Sequence, residues 1–268
     1  VWLVSLDVIV TDYRTPWDLE AFLASYAAFP PTDGKLWVVL VSPEGESLEA
    51  DLALSANWAG VLDFEVIIFE DNVGYAKACN AAAARGTGEV IAFFNADVVL
   101  TEGALDRCAE ALMSTPEWGV LGPRQVDTEN RITGGGVFGP PSQPAQRNWL
   151  ATDVGQCSDV RPDALTVSGA AYFVKRDLWV SLTECPLYHL VSYGAEGAFL
   201  PTRHYYEETW CSYHARAHGA CCVFYGPVKI IHKWHQSSEP GGWADQQMNV
   251  SRELFRLACD LHDRIPHE

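Results

Sequence analysis

The chain has 268 residues, 48% of them apolar, which suits one large α/β domain closing a full core without staples. Its 35 acidic and 18 basic residues leave a formal net charge of −17, a surface that repels nucleic acid and anionic lipid. An acidic protein that takes up an anionic nucleotide must screen the phosphates locally, and a divalent cation does that.

Trp2 to Val10 is a continuous apolar run, the pattern of a strand covered on both faces. It contains Asp7 and precedes Asp12, is too short to span a bilayer and has no cleavage pattern, so it reads as a buried first strand. Thr15 can cap a helix that has Pro16 at its first position and Asp18 in its first turn and runs to about Ala28. Leu36 to Val41 and Phe64 to Phe69 are the next strands, and Tyr75 to Arg85 is an alanine-rich helix. Val90 to Phe94 is a fourth strand, followed by a helix from Thr101, its expected cap, to Ser114. This alternation predicts a mostly parallel, doubly wound sheet.

Residues 119–163 are rich in Gly, Pro, Gln and Asn, with a run at Gly134-Gly135-Gly136, and predict an irregular excursion with a hairpin. Leu165 to Val174 reads as a strand, Glu207 to His218 as a helix ending at Gly219, and Cys221 to Tyr225 and Val228 to Ile231 as short strands. The last element, Asp245 to Arg264, is an amphipathic helix with Leu254, Leu257, Leu261 and Ile265 on one stripe. Eight scattered cysteines match no small disulfide scaffold and are expected as reduced thiols in a cytoplasmic protein.

Three constellations carry chemistry. In Asn72-x-Gly74-Tyr75 through Asn95-Ala96-Asp97, a strand ends in Asn95 and Asp97, and ligands of open α/β sheets lie at the carboxyl ends of strands. Oxygen ligands there suit magnesium or manganese with diphosphate oxygens completing the shell; an ordinary strand-to-turn junction also has Asn and Asp. In Tyr205-Tyr206-Glu207-Glu208-Thr209-Trp210, two carboxylates open a helix behind two aromatics. They either favour the helix dipole or supply a general base for an acceptor hydroxyl. The third is His232 after an apolar strand, a metal ligand if Asp97 lies beside it. A competing pattern, Cys211, His214, His218, Cys221 and Cys222, has spacing that could hold zinc in an interaction module.

In order and spacing these motifs resemble glycosyltransferase family 2, in its rhamnosyltransferase-like branch, across roughly residues 5–240. The match runs through Thr11, Asn72, Gly74, Tyr75, Asn80, Asn95, Asp97, Ser168-Gly169-Ala170, Glu207-Glu208, Gly219, His232 and Ser237. It departs from the family pattern at Asp12-Tyr13, at Ser42-Pro43-Glu44-Gly45, at Trp210 in place of an acid and at His214 in place of an arginine. The resemblance implies a GT-A fold: a mostly parallel Rossmann-like sheet flanked by helices, with a nucleotide-sugar half at 1–118, an acceptor and catalytic half at 119–243 and a C-terminal helix at 244–268. It further implies transfer of a sugar, with inversion, from a nucleotide-diphosphate donor, UDP- or dTDP-linked, to a hydroxyl of a glycan, lipid, protein or small molecule. Glu208 would be the base, supported by Glu207, and Asp97 with His232 would hold Mn or Mg. Thr11, Tyr13, Ser42, Asp71, Asn72, Gly74, Lys77, Asn80 and Asn95 would bind the donor. Ser168, Gly169, Tyr206 and Trp210 would face the acceptor. The alternative from another class is an inactive relative that only binds a nucleotide or glycan.

Overall fold

A computed structural model describes residues 3–41, 46–140, 143–184, 197–234 and 243–264. One sheet organises them. The strands β1 (Leu6–Asp12), β2 (Gly34–Val41) and β3 (Phe64–Phe69) are parallel neighbours, and β4 (Val90–Asn95) continues in parallel on the other side of β1. The helices α1 (Pro16–Ala28), α2 (Glu46–Trp58) and α3 (Tyr75–Ala83) make the crossovers, which parallel pairing requires. Every residue of β1 is buried, the polar Asp7, Thr11 and Asp12 together with the apolar ones, as a strand with helices on both faces requires.

Beyond β4 the order continues through β11 (Ala171–Lys175), β6 (Trp118–Val126), β12 (Cys221–His232) and β10 (Val160–Arg161). β11 runs antiparallel to both β4 and β6, while β6 and β12 are parallel to each other. The sheet is therefore mixed with mostly parallel strands. The short β5 (Val98–Val99) pairs with the end of β12, and β7 (Ile132–Gly134) with the end of β6. β8 (Val137–Phe138) and β9 (Ala145–Gln146) form a separate small hairpin. The helices α4 (Ala104–Ser114), α5 (Arg176–Glu184), α6 (Glu207–Ala217) and α7 (Trp243–Arg264) complete the chain.

Two apolar layers cover the sheet. Ile9, Phe93, Tyr172, Trp179 and Phe199 belong to one, with α3 and α5; Val10, Phe22, Phe94 and Phe173 belong to the other, with α1 and α4. At the amino ends of the parallel strands the buried Asp7 accepts from Trp37 Nε1 at 2.9 Å, Gly88 N at 2.6 Å and Arg176 Nη2 at 2.6 Å. This latch joins β1, β2, α5 and the turn before β4, and leaves the carboxyl ends of the strands for other chemistry.

Several sequence expectations change here. Residues 119–126 belong to the nine-residue interior strand β6, in which Gly119 and Gly122 are not breakers but admit Leu178 and Val167, which an added Cβ would strike. Helices α2 and α5 were not expected at all. β11 starts at Ala171 rather than Leu165, and β12 is one strand bulged between Tyr225 and Lys229 rather than two. α4 starts after Gly103, and the Thr101 hydroxyl donates to the Lys229 carbonyl at 2.5 Å instead of capping it. On α7 the buried positions are Ser251, Ala258 and His262, whereas Leu257 and Leu261 are exposed; Ile265 lies outside the described residues. The described cysteines are free thiols, and no described helix is long and apolar enough to cross a membrane.

Candidate active site

β4 ends at Asn95, whose amide donates to the Ala170 carbonyl at 3.2 Å. Asp97 follows, and the next two residues pair with the end of β12, Val98 opposite His232. The pairing brings His232 Nε2 to 3.4 Å from Asp97 Oδ1, and Lys233 N donates to the Asp97 carbonyl at 2.9 Å. His232 is buried, and its Nδ1 has no hydrogen-bond partner among the described residues. A carboxylate and an imidazole at this spacing are competent donors for a hard or borderline divalent cation. No group of three potential His, Cys, Asp or Glu ligands occurs among the described residues. The pair therefore fits a cation as a two-donor site, leaving the other positions to phosphate oxygens and water. The zinc pattern on α6 fails the same test. Cys211 and His214 are buried and His218 is exposed; the His214 and His218 rings lie 4.9 Å apart, but no third ligand joins them among the described residues.

The region around β1 to β3 gathers most donor candidates. Thr11 lies opposite Asn95 in the parallel register, its hydroxyl 3.5 Å from Cys79 Sγ. Tyr13 is half-buried with the Arg14 guanidinium 5.5 Å from its ring centre. Asn72 Oδ1 accepts from Gly74 N at 3.1 Å, a local turn that tolerates the backbone change into α3. Gly74 has φ 82°, and a Cβ there would stand 2.8 Å from Arg203 Cα, so both conformation and space require glycine. Asp71 and Lys77 are exposed, and Ser42 lies outside the described residues.

Asn80 corrects the sequence reading. Its Nδ2 donates to Phe199 O at 3.1 Å and its Oδ1 accepts from Phe199 N at 3.2 Å. With both ends of the amide engaged in the interior, Asn80 clamps the segment that leads to the carboxylates and does not present itself to a donor.

That segment delivers the Glu pair. Tyr205 and Tyr206 both adopt left-handed backbone, φ 67° and 70°, and Tyr206 leads directly into α6 without a side-chain capping bond. Non-glycine residues there cost about 1–2 kcal/mol each, and such strain concentrates at functional sites. The Thr202 hydroxyl lies 2.9 Å from Tyr205 O and 3.2 Å from Glu207 Oε2. Glu207 is buried and Glu208 is partly exposed. Burial pushes both carboxyls above the ordinary carboxylate range; for Glu207 the neighbouring Glu208 charge adds to the rise, whereas backbone amides around Glu208, including Gly169, oppose it.

Gly169 lies against Glu208, since an added Cβ would stand 3.2 Å from its Cδ. The Gly169 carbonyl accepts the Tyr75 hydroxyl at 3.1 Å, and Ser168 Oγ accepts from Ala170 N at 3.3 Å. Tyr206 stacks on Phe255 of α7 with ring centres 5.4 Å apart. Trp210 is fully buried among Tyr213, His214 and His262. This corrects its acceptor-side placement: it packs α6 on α7 and has no surface for a ligand.

The sequence reading missed Asp12. It is fully buried at the end of β1, accepts the Thr15 hydroxyl at 2.5 Å, and is raised to about 7 by burial, with the charges of Asp51 and Asp18 adding to the rise. It also missed Lys233, whose Nζ reaches Asp18 Oδ1 at 2.8 Å and fastens the end of β12 to α1. The signal was the TDYRTPWD string, where an acid before and after Thr15-Pro16 leaves one partner for the helix start and one for elsewhere.

Residues 49–157 match the model of the family described as glycosyl transferase family 2. A curated relative, the "N-acetylglucosaminyltransferase" of Rhizobium sp. (strain N33), is 30% identical over 128 residues, 47% of this chain; the chain spans only 28% of that relative. Among solved structures, S. aureus TarS 1–349 in complex with UDP-GlcNAc aligns with TM-score 0.63 at 16% identity over 98% of this chain and 68% of that one. The mannosyltransferase PcManGT from Pyrobaculum calidifontis, in complex with GDP-Man and Mn2+, aligns with TM-score 0.62 at 14% identity over 94% of this chain and 61% of that one.

Proposed function

We propose, from the premise that this chain carries glycosyl transferase family 2 sequence on a GT-A fold, that it transfers a sugar from a nucleotide-diphosphate donor to an acceptor hydroxyl with inversion. One observation carries the reading. Asn95, two residues before Asp97, donates its backbone N–H to the Ala170 carbonyl at 3.2 Å, and Gly169, the neighbour of Ala170, lies against Glu208 and accepts the Tyr75 hydroxyl of the donor segment.

In the proposed reaction Glu208 accepts the proton of the acceptor hydroxyl as that oxygen bonds to the anomeric carbon, while the bond from that carbon to the diphosphate oxygen breaks. Attack from the face opposite the leaving group inverts the configuration. Glu207, the more buried of the two, keeps its proton and spares Glu208 an adjacent charge. Asp97 and His232 are the residues that would hold a divalent cation, Mn or Mg, which when bound offsets charge on the leaving diphosphate. Asn95 orients the phosphates, Lys77 reaches the diphosphate, Tyr13 and Asp71 contact the nucleoside, and Thr11 and Asn72 complete the donor side.

The UDP-GlcNAc complex supports the UDP-linked alternative, the relative's name agrees with its sugar, and the GDP-Man complex makes the base and sugar the first question to test. The departure at Trp210, one motive for an inactive relative, falls in the core rather than at the site. The experiment is nucleotide release from UDP-, dTDP- and GDP-sugars with and without Mn2+. Release from one donor class that needs the cation supports the reading; binding without any release, with acceptors present, favours the inactive relative.

A further inference from the structure

Trp149 and Trp234 meet edge to face, with ring centres 5.0 Å apart and planes at 89°. Trp234 is the second residue after His232. Trp149 comes from the loop after β9, and that loop is fastened to the same edge of the sheet. Leu150 N donates to Ile132 O at 2.8 Å and Ile132 N to Ala151 O at 2.9 Å. Ile132 pairs with Val126, the last residue of β6, and Val126 lies opposite Ile231, the neighbour of His232. The two indoles therefore stand beside the end of β12 that delivers the candidate cation ligand.

The loop is built, not slack. Asn148, Leu150 and Trp234 all have left-handed backbone, φ 52°, 58° and 57°. Asn148 Nδ2 reaches Cys157 Sγ at 3.1 Å, and Arg147 reaches Asp159 Oδ1 at 2.6 Å and Gln156 O at 2.9 Å. With this support Trp149 and Leu150 each still keep 37% of their surface in solvent. An indole held by a perpendicular partner and left open is a rigid surface that loses little entropy on binding.

We propose that Trp149 is the platform of an acceptor subsite for a saccharide, with Trp234 as the residue that positions it. The proposal rests on the transferase reading above and names the class of acceptor. A pyranose presents a row of electropositive C–H groups, which complement the negative face of an indole. The placement argues against a nucleobase: the nucleoside candidates gather on β1 to β3, whereas this loop is tied to β6 and β12, on the far side of β4 and β11. Charge argues against a membrane, since a protein of net charge −17 is repelled by the anionic leaflets that attract peripheral proteins.

The test measures binding of chitotetraose, cellotetraose and mannotetraose by calorimetry, in the presence of UDP, for wild type, Trp149→Ala, Trp149→Phe and Trp234→Ala. UDP affinity and hydrolysis of UDP-GlcNAc are followed separately. Expected are binding of at least one saccharide by wild type, an affinity loss on the order of tenfold in Trp149→Ala, partial retention in Trp149→Phe and unchanged UDP affinity in all. An equal saccharide affinity in Trp149→Ala overturns the proposal, as does failure of wild type to bind any of the three. A loss of UDP affinity in Trp149→Ala assigns the indole to the nucleotide and overturns it too. So does Trp149-dependent binding to phosphatidylglycerol vesicles. Saccharide binding at Trp149 with no turnover of any donor sinks the transferase reading and leaves the subsite standing.

Discussion

The Tyr75 hydroxyl donates to the Gly169 carbonyl at 3.1 Å, across 94 residues of sequence. Tyr75 opens α3 directly after the Gly74 turn, and its phenol is held well above its ordinary pKa by burial, so it stays a donor. Gly169 touches Glu208 on its other side. One hydrogen bond thus couples the segment proposed to hold the donor to the segment that seats the proposed base.

Tyr75→Phe removes the hydroxyl and keeps the ring, which stacks at 6.3 Å on Phe199. The stability loss should be about 1 kcal/mol. A larger effect is expected on kcat than on KM for the donor, because the carboxylate rather than the binding surface loses its reference. Urea unfolding read beside initial rates checks this. A fall in stability with unchanged kcat would make the bond a packing detail.

Glu208→Gln should lower kcat by a factor on the order of a hundred to ten thousand while leaving donor affinity nearly unchanged. Glu207→Gln is the comparison, and its smaller effect should come with altered pH dependence. Burial raises both carboxyls, so the acid limb of the wild-type rate profile should lie above the usual carboxylate range, activity being lost as pH falls and Glu208 gains a proton. A large loss in Glu207→Gln alone would move the base by one residue.

Asp97→Ala should abolish the cation dependence of donor binding without unfolding the chain, since its carboxylate faces His232 at the strand end rather than the core. His232→Ala should weaken the same dependence. Calorimetric titration of UDP with and without Mn2+ reads both. Wild-type cation dependence in Asp97→Ala would remove this pair from the metal site.

What could be read from sequence and what could not follow physical lines. Strands β2 and β4 are legible because burial writes a long apolar run, whereas β3, an edge strand exposed at Glu65 and Ile68, is legible from its β-branched run Val66-Ile67-Ile68. Asp97 and His232 could be paired only through motif order, since nothing local to either residue says that β5 folds onto β12. The family resemblance places Asn80 and Trp210 at the site by their position in its motifs. Both are interior, and the partners that show it, the Phe199 backbone for Asn80 and His262 of α7 for Trp210, are distant in sequence and so invisible to a local motif. β6 was read as loop since its Gly119 and Gly122 look like breakers, although each is there to admit a neighbouring side chain.

Asp12 makes a prediction about pH that does not depend on the enzymatic reading. Its carboxyl is raised from 3.8 to about 7, chiefly by burial. Between these values the folded chain keeps a proton that the unfolded chain has released. Stability should therefore fall as pH rises from about 4 to 7 and then level off, by at most about 4 kcal/mol from this group. Asp12→Asn removes the charge and keeps an acceptor oxygen for the Thr15 hydroxyl, which now lies 2.5 Å away. The variant should match wild type near pH 4, exceed it near pH 8 and show a flatter profile between. Urea unfolding of both proteins at four pH values measures the slope. Glu207 and Glu208 are raised too and contribute in the same direction, so only the difference between wild type and variant isolates Asp12. Parallel profiles would mean that Asp12 is ionised in the folded protein.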